Sequence, residues 1–332
     1  MNDIRNSNPD GEDYEPQVSV TSTDAVGLAA GGSAAPLPGE DKSYSQGQLV
    51  ARRFFRHRGA LTAMIVLGIV IIVAFTSIGI GPIPGWWSKD YTLQYDKIGD
   101  GAPTWAYPFG QDTGGKDYFA LVMRGTQFSI IIAFAVGILS TVVGTVIGAL
   151  AGFYRGWLES VLMRMTDVFI VIPLLAVAAV LGRMAGESGI WGLAFVLGLV
   201  TWTSLARLVR GEVLSLRERD FVLAAQAVGT SAWRIITRHV LPNAIGVIIV
   251  SATLSISTAI LLETSLSFLG FGVQAPDTSL GTLINEYQSA FATRPWLFWW
   301  PGLMILTIAL CVNFIGDGLR DAFDPRQNRS KD

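Results

Sequence analysis

The chain has 332 residues, of which 51% are hydrophobic and 15% charged; the charged share is well below the roughly 25% of soluble domains. A net charge of −2, with cations clustered rather than abundant, excludes a nucleic-acid partner. A single cysteine, Cys311, excludes a disulfide framework, and two histidines, His57 and His239, argue against most metal hydrolases.

In chain order, residues 1–48 are rich in Ser, Asp, Gly, Pro and Glu and are expected to be a disordered cytoplasmic tail. Their acidic start, with no apolar run in reach, does not fit a signal peptide. Arg52, Arg53, Arg56 and Arg58 follow. After them come six intervals free of Asp, Glu, Lys and Arg: Gly59 to Ser88, Thr126 to Tyr154, Val168 to Gly182, Ser188 to Ala206, Val240 to Leu262, and Pro295 to Gly316. A bilayer core needs about 20 apolar residues per helix. The third interval is short and reaches that length only if Arg183 snorkels at its end. The prediction is an all-α membrane protein with six transmembrane helices.

Placing the N-terminus inside puts Arg155, Arg164, Arg207, Arg210, Arg217, Arg219, Arg234, Arg238, Arg320, Arg326, Arg329 and Lys331 on the inner side. The outer side then receives fewer cations, as the positive-inside rule requires, and both termini are cytoplasmic. Trp86 and Trp87 after the first span, and Trp296, Trp299 and Trp300 at the start of the sixth, are placed as interfacial residues.

Within the second span Gly144, Gly148 and Gly152 recur at four-residue spacing. Such a stripe lets two helices approach closely in lipid. It serves either packing within the chain or a subunit interface and translocation path. Pro173 in the third span predicts a kink.

The segment from Arg217 to Asn243 carries the most information. Asp220 is expected to cap a short helix containing Phe221, Ala224 and Ala225, and Gly229 to end it in a left-handed conformation. Trp233, Ile235 and Ile236 begin a second short helix, with Arg234 and Arg238 free for polar contacts. Pro242 is expected to restrict Leu241 and mark the start of the fifth span. This pair either lies on the membrane surface or docks into a groove on a soluble partner.

Ala224, Ala225, Gly229, Leu241 and Pro242 resemble, at the right spacing, the E-A-A-x-x-x-G…I-x-L-P coupling motif of ATP-binding-cassette (ABC) import permeases; Leu223 replaces the usual Glu and His239 the usual Ile. Three further runs resemble the dipeptide/oligopeptide branch: Pro108 to Asp117 (with Gln111 for Thr and Lys116 for Arg), Ser265 to Gln274, and Asn313 to Arg326. The similarity covers about residues 50 to 326 and is specific for the C-type membrane subunit.

The resemblance implies a type I importer permease fold with cytoplasmic coupling helices. Its expected parts are a first transmembrane helix and external loop over 49–127, a permease core over 128–326 with a coupling loop at about 207–239, and a C-terminal tail over 327–332. It implies a multi-pass protein of the bacterial plasma membrane, surrounded by lipid. The implied partners are a homologous permease subunit, two cytoplasmic ABC ATPase subunits and an external solute-binding protein. The chain has no G-x-x-x-x-G-K-[ST] phosphate loop. It is therefore expected to be non-catalytic and to hold no cofactor, with ATP and Mg on the partner ATPases. Peptides are the implied cargo; relatives carry nickel, glutathione or sugars.

Among other residues, Glu263 is expected at the interface facing water, and Asp167 at a helix start balancing the dipole. His57 is assigned to the basic collar and Cys311 to packing. A secondary transporter would show internal repeats and broken helices around an ion site. A membrane-embedded enzyme would need paired polar groups at one depth, which the apolar intervals do not offer.

Overall fold

The computed structural model describes residues 46–185 and 189–324. The expected tails therefore fall outside it, except for Gln46 to Gln48, which are helical. Helices α1 (Gln46–Arg56) and α2 (Arg58–Ser77) are joined at His57, whose ring nitrogen caps α2 by accepting the Ala60 N–H at 3.0 Å. A two-residue hairpin, β1 (Gly79–Ile80) and β2 (Ile83–Pro84), follows. Gly79 sits at φ +77°, and a Cβ there would lie 2.0 Å from the Ile83 carbonyl oxygen, so only glycine fits.

The remaining helices are α3 (Tyr118–Tyr154), α4 (Gly156–Val171), α5 (Leu174–Ala185), α6 (Gly189–Thr201), α7 (Thr203–Arg217), α8 (Asp220–Ala227), α9 (Ala232–Ile235), α10 (Leu241–Phe268), α11 (Leu280–Tyr287) and α12 (Trp296–Phe323). Among the described residues, four helices are long and apolar enough to cross a bilayer, or six spans if each of two bent pairs counts as one. The expected boundary at residue 127 falls inside α3, because Asp117 caps that helix by accepting the Ala120 N–H at 2.8 Å.

The third apolar interval is not one rod. It breaks at Ile172–Pro173, and α4 and α5 diverge by 88°, far beyond a kink. Ile172 is extended (ψ 131°), as a residue before proline prefers. A milder 44° bend separates α6 from α7 at Trp202, whose buried ring meets Phe169 edge-on at 5.7 Å.

Gly144, Gly148 and Gly152 face α7. A Cβ on Gly148 would stand 2.5 Å from the Ala206 oxygen, and one on Gly152 2.8 Å from the Arg210 oxygen. The stripe thus seats α7 directly against α3. Beside that seam, Arg207 pairs with Asp167 at 2.5 Å and Arg210 with Glu159. Asp167 therefore lies well inside α4 and serves an ion pair, not a helix start.

Two main apolar cores result. One joins α2, α3, α5, α6, α10, α11 and α12 near the 79–117 segment. The other gathers Phe153, Val209, Val213, Val222, Ile235, Ile236 and Val240 around the start of α10.

Candidate functional site

The 217–242 region is built as a rigid projection. Arg217 donates to the Phe153 carbonyl oxygen at 2.7 Å, and Arg155 pairs with Glu218, so the root of the projection is tied to the end of α3. Helix α8 begins with Asp220 at its first helical position. The cap position is Arg219, which makes no side-chain cap bond. Asp220 therefore acts as an acidic residue in the first turn, favoured by the helix dipole, rather than as the cap.

At the other end Gly229 adopts φ +80°, while its N–H donates to Gln226 O at 2.9 Å and the Thr230 N–H to Ala225 O at 3.1 Å. This crossed pair closes the last turn of α8, and a side chain at Gly229 would be strained in that backbone region.

The helix has two faces. Val222 is fully buried, and Ala225, three residues on, packs into the same cluster. Phe221, Leu223, Ala224 and Val228 point outward, Val228 at 86% exposure, and Trp233 joins them at 65%. Ala225 therefore belongs to the anchor and not to the exposed surface. Leu223 and Val228 belong to that surface, and sequence reasoning did not select them. The three-residue step from Val222 to Ala225 leaves 223 on the far side, whereas 228 continues that step and is exposed because it lies at the C-cap, where α8 ends.

Beyond α9 the chain remains helical. One π-helical turn spans Ile236–Val240, with the Leu241 N–H donating to the Ile236 oxygen. Leu241 is α-helical (φ −59°, ψ −42°), not extended as Pro242 behind it led us to expect. Pro242 lacks an N–H and would crowd the carbonyl one turn back; widening that turn relieves both problems. The projection is thus continuous with α10. Arg234 and Pro242 are exposed, while Leu241 is half-buried.

At the far end of α10, Glu263 is fully buried instead of facing water. It accepts hydrogen bonds from Ser129 Oγ on α3 (3.0 Å) and Ser267 Oγ (2.7 Å). A carboxyl in this position is tolerated only because hydroxyls satisfy it.

The 79–117 segment is equally ordered. Gln111 accepts the Ile98 N–H at 2.9 Å and donates to Asp96 O and Gly115 O, both at 3.2 Å. Phe109 stacks on Trp300 at 3.9 Å, and Tyr287 donates to Asp112 at 3.0 Å. Burial raises the pKa of Asp117; the Ala120 N–H and nearby Lys89 oppose the shift. Burial also raises the Tyr287 hydroxyl, helped by the Asp112 charge.

The sequence profile described as binding-protein-dependent transport system inner membrane component matches residues 144–329. The chain belongs to that family. A second profile, the N-terminal transmembrane domain of oligopeptide transport permease C, matches residues 45–97 of the permease. The oligopeptide transport system permease protein OppC of Mycobacterium bovis is 37% identical over 85% of the permease and 95% of its own length. A putative peptide permease protein of Brucella ovis is 37% identical over 83% of the permease and 90% of its own length. OppC of Haemophilus influenzae is 34% identical over 83% and 87%. A solved structure of the MetNI methionine ABC transporter, in inward-facing conformations, superposes with a TM-score of 0.52 at 18% identity. That match covers 61% of the permease and 97% of the other chain, and it identifies the type I importer permease fold.

Proposed function

We propose that this permease forms half of the membrane pathway of an ATP-driven importer of peptides, and that α8 is the lever through which cytoplasmic ATPases move it. Peptide cargo is supported by the oligopeptide and peptide permeases that align along most of the chain. The companion subunits in this reading are a homologous permease, two ATPases that hold ATP and Mg, and an external binding protein. Both termini are cytoplasmic. Residues 49–127 supply the first span and an external platform, and 128–326 supply the moving core.

One observation carries the lever assignment. Phe221, Leu223 and Val228, on α8 and at its end, and Trp233 on α9 expose apolar surface, while Val222 anchors the opposite face of α8 and α9 runs on through the π-helical turn into α10. An apolar crown on a stiff base transmits a push from a partner groove as a rigid tilt of the attached spans. The ion pairs α4–α7 extend that rigid body.

The test is co-expression with the companion permease and ATPases, followed by pull-down and uptake of a labelled peptide. Val228→Asp and Phe221→Asp are expected to lose ATPase association while the chain still inserts. Normal association of both variants would remove the lever assignment. Peptide uptake that survives without the ATPases would remove the importer reading itself.

A further inference from the structure

We infer that the permease holds an anionic phospholipid at one defined place: an acyl chain lies in the groove between α2 and α12, and its phosphate meets Arg56 and Arg58. This rests on α2 and α12 being membrane spans, and not on which side the termini face.

The groove encloses about 340 Å³. Gly59, Ala63 and Val66 form one wall, and Leu310, Cys311 and Phe314 the other. Gly59 and Ala63 are its small residues on the α2 side. The hydroxyl of Thr62, which also lines it, is turned back to the Arg58 and Gly59 carbonyl oxygens at 3.0 and 2.9 Å. Thr307 on α12 is the other polar residue in the lining, and the remaining wall is apolar. In a bilayer such a groove takes a hydrocarbon chain.

The mouth selects the headgroup. Gly59 lines the groove immediately beside Arg58, the first residue of α2, and Arg56 is the last residue of α1. Both arginines are exposed. Among the described residues, neither has a carboxylate within ion-pair distance. His57 stands 3.5 Å from Asp321, and Arg53 donates to the Asp324 carbonyl oxygen at 3.3 Å. Asp317, one turn beyond Phe314, is exposed on the same end of α12 with no ion pair among the described residues, and Arg56, Arg58 and Arg320 together outnumber it and Asp321.

Helix α1 places these cations at the bilayer surface. Phe54 packs with Ala60 and Ala322, which fixes α1 across the end of α12, while Leu49 and Phe55 remain exposed. An arginine fork fits a phosphate with paired hydrogen bonds. Two unpaired arginines over an apolar slot therefore match a lipid with a negatively charged headgroup, and not a zwitterionic one.

The experiment uses the full-length chain purified in mild detergent and given equal amounts of dioleoyl phosphatidylglycerol and dioleoyl phosphatidylcholine. Native mass spectrometry reads which lipid stays bound. The expected result is a preference of roughly tenfold for phosphatidylglycerol. The double variant Arg56→Gln, Arg58→Gln is expected to lose the preference. Val66→Trp, which fills the slot from an exposed position, is expected to lower retention of both lipids. Equal retention by the unmodified chain, or an unchanged preference in the double variant, would overturn the site. So would a photo-crosslinking residue at Leu310 that captures the companion permease instead of lipid in the assembled transporter.

Discussion

Ser129 on α3 donates to Glu263 on α10 at 3.0 Å, and the same oxygen accepts the Leu280 N–H at the start of α11 at 3.3 Å. One hydroxyl thus joins three elements at a point with no exposed surface. Ser267 repeats the pattern, donating to Glu263 and receiving the Val273 N–H at 3.4 Å. The Glu263 carboxyl and these two serines tie the 269–280 connection back over the end of α10.

Removing that acceptor leaves buried hydroxyls unpaired. Glu263→Ala is expected to destabilise the chain by about 1–3 kcal/mol, and Glu263→Gln, which keeps one acceptor oxygen, by clearly less. Thermal unfolding in detergent orders the three proteins. An unchanged midpoint for Glu263→Ala would mean that the cluster contributes nothing.

Gly148 permits the closest approach of α3 to α7. Gly148→Leu is expected to force the helices apart, with large losses of folded protein in the membrane, because the first added carbon already meets backbone at 2.5 Å. Gly68→Ala is the control, since nothing lies within 4 Å of its added carbon. Size-exclusion profiles of both variants decide the matter: equal behaviour would contradict the packing account.

Gly229 has open space around it, so its constraint is conformational alone. Gly229→Ala is expected to cost about 1 kcal/mol locally. The loss should appear as faster hydrogen exchange over 220–235, with global stability little changed. If exchange there stays as slow as in the parent chain, the closing turn of α8 does not depend on glycine.

Asp117 yields a pH signature. Burial lifts its pKa above the ordinary carboxylate value of 3.8, so the folded state holds the proton more tightly than the unfolded state. Its contribution therefore falls as pH rises through that raised value, and is regained as pH drops back toward 3.8. Asp117→Asn keeps a side-chain oxygen for the Ala120 N–H and should match or exceed the parent at neutral pH. Its advantage should shrink in mild acid. Asp117→Ala loses the cap and should fall by about 1 kcal/mol. Melting curves at neutral and mildly acidic pH compare all three; a widening advantage for Asn in acid would reverse the assigned sign.

Several features were readable because they are local. The six uncharged intervals register bilayer thickness, and the spacing from Ala224 to Pro242 registers the helix pair and its glycine stop. Glu263 was misplaced because a carboxyl near the end of an apolar run looks wet until its neighbours are known. Its partners Ser129 and Leu280 are distant in sequence. The motif places Ala225 in the coupling helix by spacing but gives no direction. Only packing against the core shared by Phe153 and Ile235 shows which side of α8 faces inward.

The amino-acid order by itself determined a helical membrane chain, its approximate spans and its family, since hydrophobic length and turn chemistry act between near neighbours. Tertiary structure alone decided the 88° break at Pro173, the π-helical turn before Pro242 and the burial of Glu263. Each depends on how remote segments share space: a proline permits a bend, but the helices packed around it set its angle.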